Sequence, residues 1–183
     1  MGKKVCVLTG SPRKGGNTFI MTDAFIKAAE ELGHEVKRFD TGMMNIKGCI
    51  GCETCYSNDY PCNSIRDDDF NAMAPDILEA DVLVFAMPVY WYSFPAQFKA
   101  VLDRMFCFAI GKKPIGEKDY MLISCCEEKD PTVMDGIKLP LERAAKLVGW
   151  NKTGELLVLG VYGKGDVNST DAVDKAIELA KNI

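Results

Sequence analysis

Basic residues are in the minority in this chain: 22 Lys and Arg stand against 26 Asp and Glu, a formal charge of −4. That balance argues against a nucleic-acid or anionic-membrane partner, which would favour a basic face. Long apolar runs are missing as well, since none approaches the roughly 20 residues needed to span a bilayer. Met1-Gly2-Lys3-Lys4 leads into only a short apolar stretch, so it does not read as a signal peptide. Cys6 stands where a myristoylation signal wants Ser or Thr. Histidine is nearly absent, and the single His34, following a helix-ending glycine, reads as a surface residue. There is no internal repeat, linker or second domain; residues 1–183 read as one cytoplasmic domain, with 48% hydrophobic content for one core.

What is there is alternation. Lys4 to Thr9 is an apolar, β-branched run that stops at Gly10-Ser11-Pro12. From Asn17 the period becomes helical, with Ile20, Ala24, Phe25, Ala28 and Leu32 on one face and Gly33 at the end. Glu35 to Phe39 reads as a second strand. Asp81 to Met87 is the near-continuous apolar run of a central parallel strand. Pro95 opens a helix with Phe98, Val101, Leu102 and Met105 inward, and Tyr120 to Cys125 is a fourth strand. Pro140 to Gly149 carries helix start and stop signals, and Glu155 to Val161 makes a fifth strand. Asn168 or Ser169 can cap a last helix with Ala172, Val173, Ala176, Ile177 and Ala180 inward. The expected fold is α/β: a doubly wound five-stranded parallel sheet between helical layers, with ligand at the strands' carboxyl ends. From about residue 41 to 66 the period disappears, and a loop that long in a compact domain is usually functional or disordered.

Gly10-Ser11-Pro12-Arg13-Lys14-Gly15-Gly16-Asn17-Thr18 joins the first strand to the first helix. Glycines such as Gly16 let backbone N–H groups turn inward, and a helix N-terminus adds positive potential. Ser11 and Thr18 offer hydroxyls, Asn17 an amide and Arg13 a charged fork, so the loop suits a phosphate. An ordinary helix cap at Asn17 is the alternative. Pro12 breaks the dinucleotide pattern G-x-G-x-x-G, and Asn17 stands where a Walker motif needs lysine.

Pro88-Val89-Tyr90-Trp91-Tyr92-Ser93-Phe94 follows the third strand beside the expected switch point. Three consecutive aromatics there suit a planar ring, with Ser93 for its polar edge, unless they only cap the core. With a single-phosphate loop alongside, a planar mononucleotide is the better reading. These two motifs, with the helix carrying Lys99, Asp103 and Arg104, resemble the NAD(P)H-dependent FMN reductase family over about the first two-thirds of the chain. The resemblance implies a flavodoxin-like fold, FMN phosphate held by Ser11, Arg13, Asn17 and Thr18, and Pro88 to Ser93 lining the isoalloxazine. It adds Ser124 and Cys125 as a third edge. It offers no role for Lys99, Asp103 or Arg104.

Eight cysteines are many for such a chain, and Cys49, Cys52, Cys55 and Cys62 share one segment. Thiols at two-residue gaps can wrap a cluster that a fourth closes. The spacing is similar to that of the iron–sulfur flavoproteins of the same family, which implies a [4Fe–4S] cluster. Zinc or uncomplexed thiols, free or oxidised, are the alternatives. Cys6 and Cys107 read as packed residues, as do Cys125 and Cys126, for which redox activity near the expected flavin edge is the alternative, and Asp67-Asp68-Asp69 reads as a helix cap.

A flavin carries its own chemistry, so no catalytic acid or base is required and none stands out. The first expectation is an enzyme taking hydride from NAD(P)H and passing electrons to an unknown acceptor. The second is an electron carrier with FMN and [4Fe–4S], fed by a ferredoxin-like partner, and the third a non-redox zinc-stabilised binding module. A homo-oligomer is expected.

Overall fold

The computed structural model describes residues 2–57, 67–110 and 115–183. Five strands form one wholly parallel sheet: β1 (Lys4–Thr9), β2 (Glu35–Phe39), β3 (Val82–Pro88), β4 (Asp119–Cys125) and β5 (Asn151–Val158). Their order, β2-β1-β3-β4-β5, is that of flavodoxin-like folds and reverses direction between β1 and β3. All seven residues of β3 are buried, as its unbroken apolar run requires of a strand covered on both faces.

The helical layers are α1 (Asn17–Glu31) and α6 (Ala172–Ala180) on one face, packed on Val5, Val7, Val84 and Ile123. On the other are α3 (Asp69–Glu79), α4 (Ala96–Ile110) and α5 (Asp135–Val148), around Leu8, Leu83, Phe85 and Leu122. The one-turn α2 (Thr54–Ser57) leans on α4 from within the cysteine segment. No helix among the described residues is long and apolar enough to cross a membrane.

Several boundaries differ from expectation. α5 begins at Asp135, so Pro140 lies inside it rather than opening it. β5 begins at Asn151 and ends at Val158, three residues before Val161. It is an edge strand with a half-buried surface, which tolerates Lys152, Thr153 and Glu155 and hides the apolar signal. α6 is preceded by Asp171, while Asn168 and Ser169 belong to a short 3-10 turn. Leu32 is 52% exposed because α1 ends one residue earlier and the chain turns at Gly33. Ile177 likewise faces outward. His34 is only half-exposed, accepting the Lys3 N–H at 3.1 Å.

Two close approaches shape the carboxyl end of the sheet. A Cβ on Gly10 would stand 2.8 Å from the Phe98 ring, so the first loop can lie against α4 only as glycine. A Cβ on Gly136 would stand 1.7 Å from the Tyr92 carbonyl oxygen, so the start of α5 takes the aromatic turn directly on its backbone.

Candidate active site

Four loops leaving β1, β3, β4 and β5 enclose a half-open cavity of about 260 Å³. Ser11, Arg13, Gly16, Asn17 and Thr18 form its phosphate-loop wall. Gly16 is the N-cap of α1 and supplies no side-chain cap. The first N–H groups of that helix are therefore left to a ligand or solvent at the positive end of the helix. The Ser11 hydroxyl accepts the Arg13 N–H at 3.2 Å, which leaves its own proton to donate. Thr18 is buried with its hydroxyl 3.4 Å from the Cys125 sulfur.

Asn17 has a second task. Its Oδ1 accepts the Gly165 and Val167 N–H groups at 3.0 and 3.4 Å, and its Nδ2 donates to the Gly163 carbonyl at 2.9 Å. The side chain thus ties the β5 loop to the phosphate loop and retains one N–H beyond those bonds. This bridge carries Lys164 to the same rim, where its stem lies 3.2 Å from the place a Gly15 Cβ would take.

Pro88, Val89, Tyr90 and Trp91 form the opposite wall. Tyr90 and Ser93 exchange two backbone hydrogen bonds, Tyr90 N–H to Ser93 O at 2.9 Å and Ser93 N–H to Tyr90 O at 3.0 Å. Trp91 and Tyr92 occupy the two central positions with φ of 48° and 61°. This is the backbone of a two-residue hairpin turn that ordinarily selects Asn-Gly, so two bulky aromatics hold it against a cost of about 1 kcal/mol or more each. The turn presents the Trp91 side chain to solvent at the cavity mouth, 93% exposed.

Tyr92 lines a smaller neighbouring cavity of about 200 Å³ with Glu128 and Val133. Its hydroxyl bonds to Glu128, which pushes the phenol above its ordinary pKa. The two cavities share Val89, Trp91, Cys126 and Glu127. Ser93 is exposed and absent from both linings. Ser124 does not reach the cavity: it is fully buried, and its hydroxyl donates to the Met87 carbonyl at 2.7 Å, across the β3–β4 pair.

Cys125 does line the cavity. Burial raises its thiol pKa, and the Thr18 hydrogen bond and the Arg13 charge offset that only in part. Cys126 is raised for the same first reason, so both remain neutral thiols rather than nucleophilic thiolates. The sequence reading missed Glu127, Val161 and Tyr162 and favoured packing for Cys126; these four complete the cavity from the β4 and β5 loops. Their one signal was position: they follow the carboxyl ends of β4 and β5, at the same end of the sheet as the loops of β1 and β3.

In the cysteine segment, Cys49 is exposed and Cys52 and Cys55 are half-buried; Cys62 lies outside the described residues. Among the described residues no three His, Cys, Asp or Glu side chains are arranged to hold a metal. Burial raises the Cys55 pKa, and Cys107 on α4, Cys52 and Cys49 all push it in the same direction. A larger, apolar groove of about 420 Å³ runs between α4 and α5, with Cys49 at its edge.

The chain is similar to known proteins. An iron-sulfur flavoprotein of Archaeoglobus fulgidus is 34% identical over 117 residues, 64% of this chain and 51% of that protein. An iron-sulfur flavoprotein of Methanosarcina thermophila is 33% identical over 101 residues, 55% of this chain and 51% of that protein. The chain thus spans about half the length of the curated relatives it matches. In structure it is similar to an NAD(P)H:quinone oxidoreductase of Methanothermobacter marburgensis, with TM-score 0.77 and 18% identity over 100% of this chain and 96% of that one. Residues 3–130 match the profile of one family, and the chain belongs to it: the NADPH-dependent FMN reductases.

Proposed function

We propose that this domain binds FMN in the cavity of the β1 and β3 loops and works as an oxidoreductase, taking hydride from NADH or NADPH and passing electrons to an acceptor. One observation carries the reading. The cavity joins an uncapped helix N-terminus, two hydroxyls and Arg13 on one wall to Tyr90 and Trp91 on the other. That is the donor set for one phosphate beside flat faces for one planar ring.

Bound FMN would supply the redox chemistry, since its ring accepts a hydride or single electrons. The residues here bind, orient and shield. Ser11, Arg13 and Thr18 hold the phosphate, with the α1 backbone as further donor. Asn17 fixes the β5 loop and so sets the cavity's width. Neutral thiols at Cys125 and Cys126 keep anionic sulfur away from the ring. The exposed Trp91 is placed to stack on an incoming planar substrate.

A second reading is favoured by the loop thiols and by the names of the relatives. In it Cys49, Cys52, Cys55 and Cys62 bind a [4Fe–4S] cluster, and the domain relays electrons from a ferredoxin-like donor, in a homo-oligomer. Soft thiolate donors fit such a cluster, which would supply one-electron transfer. The absorption spectrum of anaerobically purified protein, with iron and sulfide counted, separates the readings. Rapid mixing with NADH and NADPH then tests the donor: if both leave bound flavin oxidised while reduced ferredoxin bleaches it, the reductase reading fails.

A further inference from the structure

α4 carries three charged residues in one stretch, and they point to two different places. Lys99 and Asp103 pair at 2.5 Å on the exposed face. Arg104 turns inward, its side chain 5% exposed, onto Asp68, whose side chain is wholly buried, at 2.7 Å. The guanidinium also donates to the Lys47 carbonyl at 3.3 Å and to Asn71 Oδ1 at 3.2 Å, and it lies 4.8 Å from the Phe70 ring centroid.

The partners of Arg104 are the two ends of the cysteine segment. Lys47 precedes Cys49, and Asp68 follows residues 58–66. Asp68 reinforces the closure, since its Oδ2 also accepts the Lys47 N–H at 3.1 Å. Its Oδ1 caps α3 by accepting the Phe70 N–H at 3.2 Å. Further out, two residues before Lys47 and one after Asp68, Asn45 N–H donates to Asp69 Oδ2 at 2.7 Å, and Asp69 N–H returns a bond to Asn45 O at 3.2 Å. Two rungs thus tie Asn45 and Lys47 to Asp69 and Asp68, and Arg104 bolts the inner one to α4.

We propose that Arg104 is a positioning residue for the described cysteines of this segment: with Asp68 it ties the two flanks of the segment together, so that Cys49, Cys52 and Cys55 are held beside α4 for a thiophilic metal cargo. The proposal rests on the cluster reading for the identity of that cargo. A loop that must gather several thiolates around one group loses conformational entropy, and much of that loss is already incurred when its ends are fixed. A buried ion pair is an expensive fastening, because both charges leave water. Its several further hydrogen bonds make it a fork that lysine cannot reproduce. Cys55 shares the same support, since α2 rests on α4, which bears both Cys107 and Arg104.

The test uses Arg104→Met combined with Asp68→Asn, which removes the fork without leaving a buried carboxylate unpaired and keeps the Oδ1 cap of α3. Arg104→Lys is the conservative companion. Each full-length protein is prepared without oxygen, loaded with FMN and reconstituted with ferrous iron and sulfide. Iron per FMN and the cluster's visible absorption are measured. In protein without iron, the alkylation of Cys52 and Cys55 by N-ethylmaleimide is followed by mass spectrometry.

The double variant should keep wild-type FMN binding, lose at least half its iron, and alkylate at Cys55 about tenfold faster. Arg104→Lys should fall between it and the wild type. An unchanged iron load with unchanged alkylation overturns the proposal, as does a wild-type load despite faster alkylation. If the wild-type protein itself takes up no iron, the cluster reading fails separately. The clamp is then judged by Cys55 alone, and an unchanged rate there overturns it.

Discussion

The phosphate loop and the cysteine loop hold their functional groups by opposite means. In the first, β1 and α1 fix both ends within a few residues, and Ser11, Asn17 and Thr18 are all less than 7% exposed. Its donors are largely backbone groups whose direction the helix sets. In the second, the donors are side chains on a largely irregular segment, with Cys49 exposed and Cys52 and Cys55 half-buried, fastened at its base and where α2 rests on α4. An anion site can be assembled by secondary structure before its ligand arrives. A thiolate site is commonly completed by its cargo, because binding and local folding are coupled.

The sharpest way to break this comparison is to remove one arginine from each region. Arg104→Met should lower unfolding stability by about 3–5 kcal/mol in urea titrations, because the Asp68 carboxylate is left buried without its partner. Arg13→Ala, at an exposed position, should change it by no more than about 0.5 kcal/mol. Equal stability losses would show that the base of the cysteine loop is no more costly to open than a surface site.

The order should invert for cofactor affinity. Arg13→Ala with Thr18→Ala removes charge-assisted and hydroxyl donors worth about 1.5–3 kcal/mol together, a weakening of roughly 10- to 150-fold in FMN binding. Fluorescence titration against Lys152→Ala, which alters only the β5 ion pairs with Glu142 and Glu155, provides the control. Affinity equal to that control would remove the phosphate from this loop.

The same contrast explains what could be read in advance. β1, β3 and α1 announce themselves because they are covered by other elements, so burial writes a run or a period into them. The phosphate loop and Tyr90-Trp91 are legible because they adjoin those elements. β5 is an edge strand with polar outer positions, and Pro140 imitates a helix start while lying in the interior of α5. Asn17's bridge to residues 163–167, and the arrival of Val161 and Tyr162 at the cavity, depend on two loops meeting through the sheet order. Arg104 is the same case. Its sequence neighbours pair on the surface, and nothing local tells that it alone turns in towards Asp68.

A smaller effect lies in the aromatic turn on the wall facing the phosphate loop. Trp91→Gly relieves a positive φ of 48°. It should therefore raise stability by up to about 1 kcal/mol, offset slightly by the flexibility of unfolded glycine. Trp91 is also one of the flat faces offered to the flavin ring, so FMN affinity should fall, and if the indole serves incoming substrate as well, reduction of bound flavin by NAD(P)H should slow even at saturating FMN. Unchanged affinity and reduction kinetics would make the turn a packing feature only.

The last contrast is between the cysteines of the two environments, and alkali separates them. Burial beside β2 and α3 pushes the Cys6 thiol up to about 12. In the unfolded chain it ionises near the ordinary value of about 8.5. Above that pH the unfolded state gives up a proton that the fold retains, so folding stability is complete below about 8.5 and declines as pH rises towards 12. By pH 10 the loss from this one group is on the order of 1–2 kcal/mol, and Cys6→Val should flatten that limb of the stability curve. Cys55 is also raised, first by burial and then by its thiol neighbours. Its proton must leave before it can ligate, so thiophilic metal uptake at the loop should strengthen with rising pH. Uptake of cadmium by the iron-free protein between pH 6.5 and 9, with Cys55→Ser as the reference, measures that rise. A pH-independent affinity would mean that the loop thiols are not the ligands.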